Sequence, residues 1–565
     1  SIYKNGTSAF YGESVSSVVA IFLTPESYEK NTFSAGINMI NADAFVKYNL
    51  SKNSFIEISG RKSITDYLET PTYTEYFNKA FQNTTITDFS QTQNVNYLSD
   101  KKFGFYDATI KYVQNIGHKD KLTLDLITIN DKLHVFQSAT TDAATQSEKD
   151  ILRQTNFGGN LLWKRNWNAS NTTKINIYSS SYELLANKNS SSGNQIVTQK
   201  NTVQDNGITI ENNHIISPKF IFSNGYQLND IGISNLDEVN SPHFYRNLKE
   251  VLRTHALIVE GKYQDSISRI NLNTGLRLNY IEKFKKTILE PRLQFNYGIN
   301  ANLNLEILGE LKSQNSQQSI DLQQDYFGIE KRHWIISNDS TVPIQRSKQV
   351  SISLSFNKNN WFVSVENFYK KVTGITSSSQ GFQNQLEFIK INGEYKVEGT
   401  EILIQKKINH FLTWLSYAYN NNNYHFPTYE FPYFPNNFEM DHTISWAGVY
   451  EKKNFKLALG AKWSSGRPET TPNSTEIDAS NPVIQYNKPN NQEQNPYFQI
   501  NFSSTYKWES NKGIQYKLGL SILNILNKKN EISEYYRISS LTNSIEEVKT
   551  FSLQRTPNLS FRVSF

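Results

Sequence analysis

Hydrophobic and polar residues alternate with a period of two along most of this chain. In residues 514–522, Ile514, Tyr516, Leu518, Leu520 and Ile522 alternate with Gln515, Lys517, Gly519 and Ser521. Residues 270–280 behave alike: Ile270, Leu272, Leu276, Leu278 and Tyr280 against Asn271, Asn273, Gly275, Arg277 and Asn279. The chain ends the same way, with Leu559, Phe561, Val563 and Phe565 set between Ser560, Arg562 and Ser564. Successive side chains of a strand point to opposite faces, so each run puts one face in an apolar medium and the other in water. Helical periodicity is weak throughout. From Thr32 onward the runs predict 22 strands, beginning with 32–40, 43–50 and 54–61 and ending with 495–509, 513–525 and 558–565.

The connections carry a second pattern. One set is short and turn-like: 51–53, 116–117, 167–170, 265–266, 299–300, 452–453 and 510–512. The alternate set is mostly long: 62–102, 132–152, 229–247, 313–346, 372–394, 422–438, 466–494 and 526–558. Only 41–42 and 282–286 are short where a long one is due. In an up-and-down barrel every second connection lies on the same rim, so one rim is trimmed and the other elaborated, as in outer-membrane barrels. A soluble sandwich has no reason to keep one end bare. A barrel of this many strands encloses a lumen too wide for side chains to fill. The polar set then faces a wet or plugged lumen and the apolar set faces lipid. The expected fold is all-β: a 22-stranded antiparallel transmembrane β-barrel over 32–565.

Composition narrows this further. Hydrophobic residues make up 37% of the 565, below the soluble globular norm, yet 34 Phe and 32 Tyr exclude a disordered chain. No cysteine is present, which removes disulfides, thiol nucleophiles and cysteine metal sites together. No apolar run approaches the length of a membrane helix. The net charge of +6 is scattered, so no footprint for nucleic acid is found. The chain starts at Ser1 without a basic-then-apolar leader, so any targeting peptide is removed or lies outside this sequence. Residues 1–31 break the strand rhythm, with Gly6, Gly12, a Ser-rich run and Thr24-Pro25, and read as the tail of a different domain.

Three stretches now carry a family likeness. They are YKNGTSAFYGESVSSVVAIFL at 3–23, PNNFEMDHTISWAGVY at 435–450, and the closing NPYFQINFSSTYKW, LGLSILNILNKKN and TPNLSFRVSF between 495 and 565. Weaker echoes are LEPRLQFNYGIN at 289–300 and WSSGRP at 463–468. In this order they resemble TonB-dependent outer-membrane receptors of the type common in Bacteroidetes. The resemblance implies a barrel in the bacterial outer membrane that imports a scarce nutrient, energised by the TonB–ExbB–ExbD complex. It makes 1–31 the C-terminal end of a plug domain. The TonB-contacting box and the rest of the plug are not in the sequence: they were cleaved, lie outside this sequence or were deleted, or this member does not transport. The resemblance also implies that the terminal Phe565 is a recognition element for barrel assembly. The alternative reading of Phe565 is one more aromatic of the interface belt.

Candidate contacts come from the loops. Residues 424–435 read YHFPTYEFPYFP, and Pro427, Pro432 and Pro435 stiffen them, lowering the entropy lost on binding. Tyr424, Phe426, Tyr429, Phe431, Tyr433 and Phe434 suit stacking on a sugar, an aromatic chelate or a surface lipoprotein. The bland alternative is a self-packed cluster closing over the lumen. Arg467, with Glu469, Glu476 and Asp478, offers charged contacts or a solvated loop. Asp325, Glu330 and Asp339 offer oxygen ligands for calcium, without EF-hand spacing. His243 and His255 match no metal motif, and His442 reads as structural. No catalytic signature stands on a strand-to-helix frame, so no catalytic residue, metal or cofactor is assigned. Two functions follow: nutrient uptake, or a non-transporting barrel that scaffolds other envelope subunits.

Overall fold

Every strand of the wall finds a hydrogen-bonded neighbour on both sides, so the sheet closes on itself. The structure is a computed structural model that describes residues 2–21, 31–82, 96–140, 145–190, 194–320, 332–474, 477, 483–539 and 544–565. The wall begins with β1 (Thr32–Asn38), β2 (Asn41–Ser51), β3 (Ser54–Ser63), β4 (Asn96–Ile116), β5 (Asp120–Thr140), β6 (Thr145–Asn166) and β7 (Asn171–Ser190). It continues through β8 (Gln195–Ser217), β9 (Phe220–Val239), β10 (Phe244–Asp265), β11 (Ile270–Ile281), β12 (Lys286–Gly298), β13 (Leu303–Gln314), β14 (Gln345–Lys358) and β15 (Trp361–Thr376). It ends with β16 (Asn392–Ile408), β17 (Phe411–His425), β18 (His442–Lys452), β19 (Phe455–Ser464), β20 (Tyr497–Glu509), β21 (Gln515–Leu523) and β22 (Thr556–Ser564). These are the expected 22 strands in the expected order.

Polarity is inverted relative to a water-soluble protein. On β14, Val350, Ile352 and Leu354 are 44–50% exposed, while Ser347 and Ser351 of the opposite face are buried. On β11, Leu276 and Leu278 are exposed while Arg277 and Asn279 are buried. The greasy face therefore needs lipid around it. Turn chemistry trims one rim: Asn359 and Asn360, both at positive φ, make the two-residue link from β14 to β15 that strand twist favours. The seam lies between β1 and β22, in register from Ser34 opposite Ser564 to Asn38 opposite Ser560. Phe565 extends it: its N–H donates to the Phe33 carbonyl at 2.8 Å, and the two rings lie 5.6 Å apart.

Two expectations need correction. The loops expected at 132–152 and 229–247 are largely strand, since β5 runs to Thr140, β6 resumes at Thr145, β9 reaches Val239 and β10 starts at Phe244. Both faces of a strand are wet above the bilayer, so alternation fades while the ladder continues. Helical periodicity also misses one helix, α1 (Pro71–Ala80), inside the long 62–102 connection. Its signal is at its start: Thr70 caps it, accepting from the Tyr73 N–H, and Pro71 sits where its missing donor costs nothing.

Placing a cation on the lipid face tests the orientation. Ile352→Arg is expected to destabilise the barrel by roughly 2–4 kcal/mol, and Ser353→Arg, on the wet face, by far less. Urea titration followed by heat-modifiable gel mobility separates the two; equal losses would contradict the inverted polarity.

Candidate functional site

Residues 2–21 run inside the barrel, along the inner wall of β9–β16. They are tied there by charged side chains at alternate, lumen-facing positions of neighbouring strands. Glu260 of β10 accepts from Ser8 Oγ at 2.7 Å and from the Ala9 N–H. Glu310 of β13 accepts from the Thr7 N–H and Oγ at 3.0 and 2.8 Å. Arg277 of β11 donates to the Ala9 carbonyl, Arg292 of β12 to that of Tyr11, and Lys312 of β13 to that of Ser16. Asn315 reaches Glu13 at 2.8 Å.

Register explains why these charges can be buried together. Arg277 stands opposite Glu290, and Arg292 opposite Glu310. Glu290 lies 2.9 Å from Arg292, and Glu310 lies 3.6 Å from Lys312. Two carboxylates (Glu290, Glu310) thus face three cations (Arg277, Arg292, Lys312), all buried, with Glu260 buried nearby on the same inner face. Removing one partner of such a network strands the others without solvent. The fit is close enough to dictate glycine at two points. A Cβ on Gly12 would lie 2.5 Å from the Arg277 guanidinium carbon, and one on Gly225 would lie 2.5 Å from the Ile210 carbonyl oxygen and 2.6 Å from the Phe10 ring.

Above this segment sits an aromatic lid. Tyr424, Phe426 and Phe434 are buried, and they pack with Val372, Ile375, Phe382 and Leu386 from residues 372–391. Val15 of the luminal segment is part of the same cluster. Phe382 is its centre, 5.3 Å from the Tyr424 ring and 5.9 Å from those of Phe426 and Phe434. Tyr429 packs on its edge, and its hydroxyl accepts from Gln385 at 2.8 Å. Phe431 lies against Tyr429. Tyr433 alone of the six is strongly exposed, at 62%, and it stacks on His425 at 4.2 Å. The self-packed alternative thus describes three of these residues, and Tyr433 is the ring most open to solvent.

Arg467 does not join that cluster. Its guanidinium lies over the Phe438 ring at 5.6 Å and 3.5 Å from the Ile532 carbonyl. Glu469 is buried beside a hairpin, Glu531–Ile538 with Ile545–Phe551, in which Lys549 bridges Glu531, Glu534 and Glu547. Burial, then the neighbouring Glu534 and Glu531 charges, push the Glu469 carboxyl up to about 7. Asp339 is paired with Lys286 at 2.8 Å. Asp325, Glu330, Glu476 and Asp478 lie outside the described residues. His255 bonds Tyr226 at 2.7 Å, and His442 bonds Tyr417 at 3.0 Å.

Comparison with known proteins reaches this chain through its fold. No family model matches the sequence, and no curated protein does. Among solved structures, the FrpB iron transporter from Neisseria meningitidis superposes with a TM-score of 0.66 at 12% identity, over 100% of this chain and 87% of that one. The ferric enterobactin receptor PfeA from Pseudomonas aeruginosa, as a mutant, gives 0.66 at 11% identity, over 100% and 84%. The outer membrane transporter YddB from Escherichia coli gives 0.64 at 8% identity, over 100% and 84%. The chain has the fold of these outer-membrane transporters, a closed barrel with a lipid-facing exterior, and belongs in the bacterial outer membrane.

Two predictions follow from this geometry. Glu310→Ala leaves Arg292 and Lys312 short of a counter-charge and Thr7 without its acceptor, a loss of roughly 3–5 kcal/mol. It is expected to release the luminal segment, read as faster maleimide labelling of a cysteine introduced at the fully buried Ala9, whose contacts to the wall are made by its backbone. Unchanged labelling would show that the network does not hold the segment. The raised Glu469 carboxyl binds a proton more tightly in the folded loop than in the open one. Its contribution is full below its ordinary range near 4.5 and is lost as pH rises through about 7. Hydrogen exchange of the hairpin strands Glu531–Ile538 and Ile545–Phe551, corrected for intrinsic rates, should therefore speed up between about pH 5 and about pH 8, and Glu469→Gln should flatten that response.

Proposed function

We propose that this protein is a TonB-dependent outer-membrane receptor of the Bacteroidetes type, with residues 1–31 forming the C-terminal end of its plug. In this reading it takes up a scarce nutrient such as a siderophore, glycan, peptide or cobalamin, driven by TonB–ExbB–ExbD acting on an upstream plug and TonB box. One observation carries the proposal: Val15 of the wall-anchored luminal segment is built into the same buried cluster as Tyr424, Phe426 and Phe434 of the lid. A device of this kind couples the two ends of a gate. Ligand seated on the outer loops changes the packing around Val15, and a pull on the luminal segment changes the lid. The names of two neighbours point the same way, since one is an iron transporter and another a ferric enterobactin receptor. Tyr429, Phe431, Tyr433 and Arg467 are then the outer ring available for first contact with a ligand or a surface lipoprotein. Phe565, exposed beside the seam, is the assembly signal.

Growth of a deletion strain on single limiting nutrients tests this. The full-length gene should restore growth on one such nutrient, and restoration should vanish when TonB is absent. Wild-type growth of the deletion strain on every nutrient, together with stable co-purification of other envelope proteins, would instead establish the scaffolding alternative.

A further inference from the structure

On the outer flank of the barrel, a cleft of about 360 Å³ opens where β17 and β18 leave the membrane. Its position follows from strand parity. Tyr419, Asn421 and Asn423 share the face of Leu415, which is 42% exposed to lipid, whereas Tyr424 and Phe426 belong to the buried lid. The cleft therefore opens on the outer side of β17, away from the luminal segment and the buried lid rings. Below it lies the greasy belt: Ile444 and Trp446 of β18 flank Tyr417 and Leu415 in register. Its floor is aromatic, with the Tyr419 ring 5.5 Å from the His442 ring.

The groups around that floor select a ligand class. Glu439, Asp441 and Glu493 line the cleft, and no Lys or Arg does. The Asp441 and Glu493 carboxylates make no hydrogen bond or ion pair among the described residues, so their acceptor oxygens are free for a ligand. Burial, with Asp441 and Glu493 nearby, raises the Glu439 carboxyl above its ordinary range. An anionic ligand is repelled here, and an apolar one would bury amides and carboxylates without partners. Among the described residues no three carboxylates or imidazoles converge as a metal set. An organic cation offers donors only, so it meets the carboxylates but leaves the Asn421 amide N–H groups without an acceptor. A neutral ligand rich in hydroxyls, which both donate and accept, with one flat apolar face suits the whole set, and that is the chemistry of a pyranose. Carboxylates and the Asn421 and Asn423 amides bond its hydroxyls, and the exposed Tyr419 ring meets its C–H face.

We propose that this cleft binds the uncharged sugar headgroup of a glycolipid in the outer leaflet. The lipid-linked source follows from the position, since a sugar on Tyr419 leaves its acyl chains against Leu415 and Trp446. The test uses the full-length chain in nanodiscs of phosphatidylethanolamine carrying gluco-, galacto- and mannosyl-diacylglycerol, with retained lipid read by native mass spectrometry. Wild type should retain at least one glycosyl lipid over phosphatidylethanolamine. Asp441→Asn combined with Glu493→Gln should weaken that retention about ten- to a hundredfold, as should Tyr419→Ala, while Tyr419→Phe should preserve it. Heat-modifiable mobility of each variant establishes that the barrel is folded. Failure to select any of the three sugars, or equal retention by the doubly substituted chain, would overturn the proposal. Equal affinity for free methyl glycosides would overturn the lipid-linked source, and preference for an oligolysine peptide would overturn the sugar class.

Discussion

Lipid offers no hydrogen bonds, and this protein is organised around that fact. A strand in the hydrocarbon region must bond its backbone on both sides, which only a closed ladder achieves. Closure then fixes the faces, since a one-residue slip would turn every leucine inward and every lysine to lipid. With the faces fixed, the lumen inherits the polar half of the sequence. That is why Glu260, Arg277, Glu290, Arg292, Glu310 and Lys312 meet inside, where they can only neutralise one another or bind backbone that enters the lumen.

The charge network and the aromatic lid are opposite solutions to one problem, namely holding a short chain in a wide tube. Low on the segment, where each strand offers a polar residue at every second position, the anchors are carboxylates and guanidinium groups. Higher up, the loops are free of strand parity and can bring Phe382, Leu386 and Phe434 together from distant parts of the chain. Polar anchoring sets position, while apolar packing joins elements that need no fixed register. Val15 stands where the two regimes meet.

Much of this was legible in the alternation of residues such as Ile514 to Ile522, because a bilayer imposes a strict rule on each position that faces it. Where that constraint ends, legibility ends too. The upper halves of β5, β6, β9 and β10 are wet on both faces and read as loop. The YHFPTYEFPYFP segment announced an aromatic cluster, but not which rings lie within it, because that depends on Phe382 and Val15, remote in sequence. Apolar Phe382 and Leu386 within the polar run 377–387 were the available hint. The luminal charges were visible as residues of the wet face. Their pairing needed the cross-strand register, which no single strand contains.

The seam has a further meaning. Its ladder joins five residue pairs, against 21 between β5 and β6, yet it is fastened at both ends. Phe565 closes the lower end, and at the upper end Thr70 and Thr72, at the start of α1, donate to the carbonyls of Met39 and Pro557. The latch joins the start of α1 to a carbonyl 485 residues further along the chain. Until β22 lies against β1 the sheet keeps two raw edges and the latch has nothing to catch, so one closing step turns a ribbon into a ring.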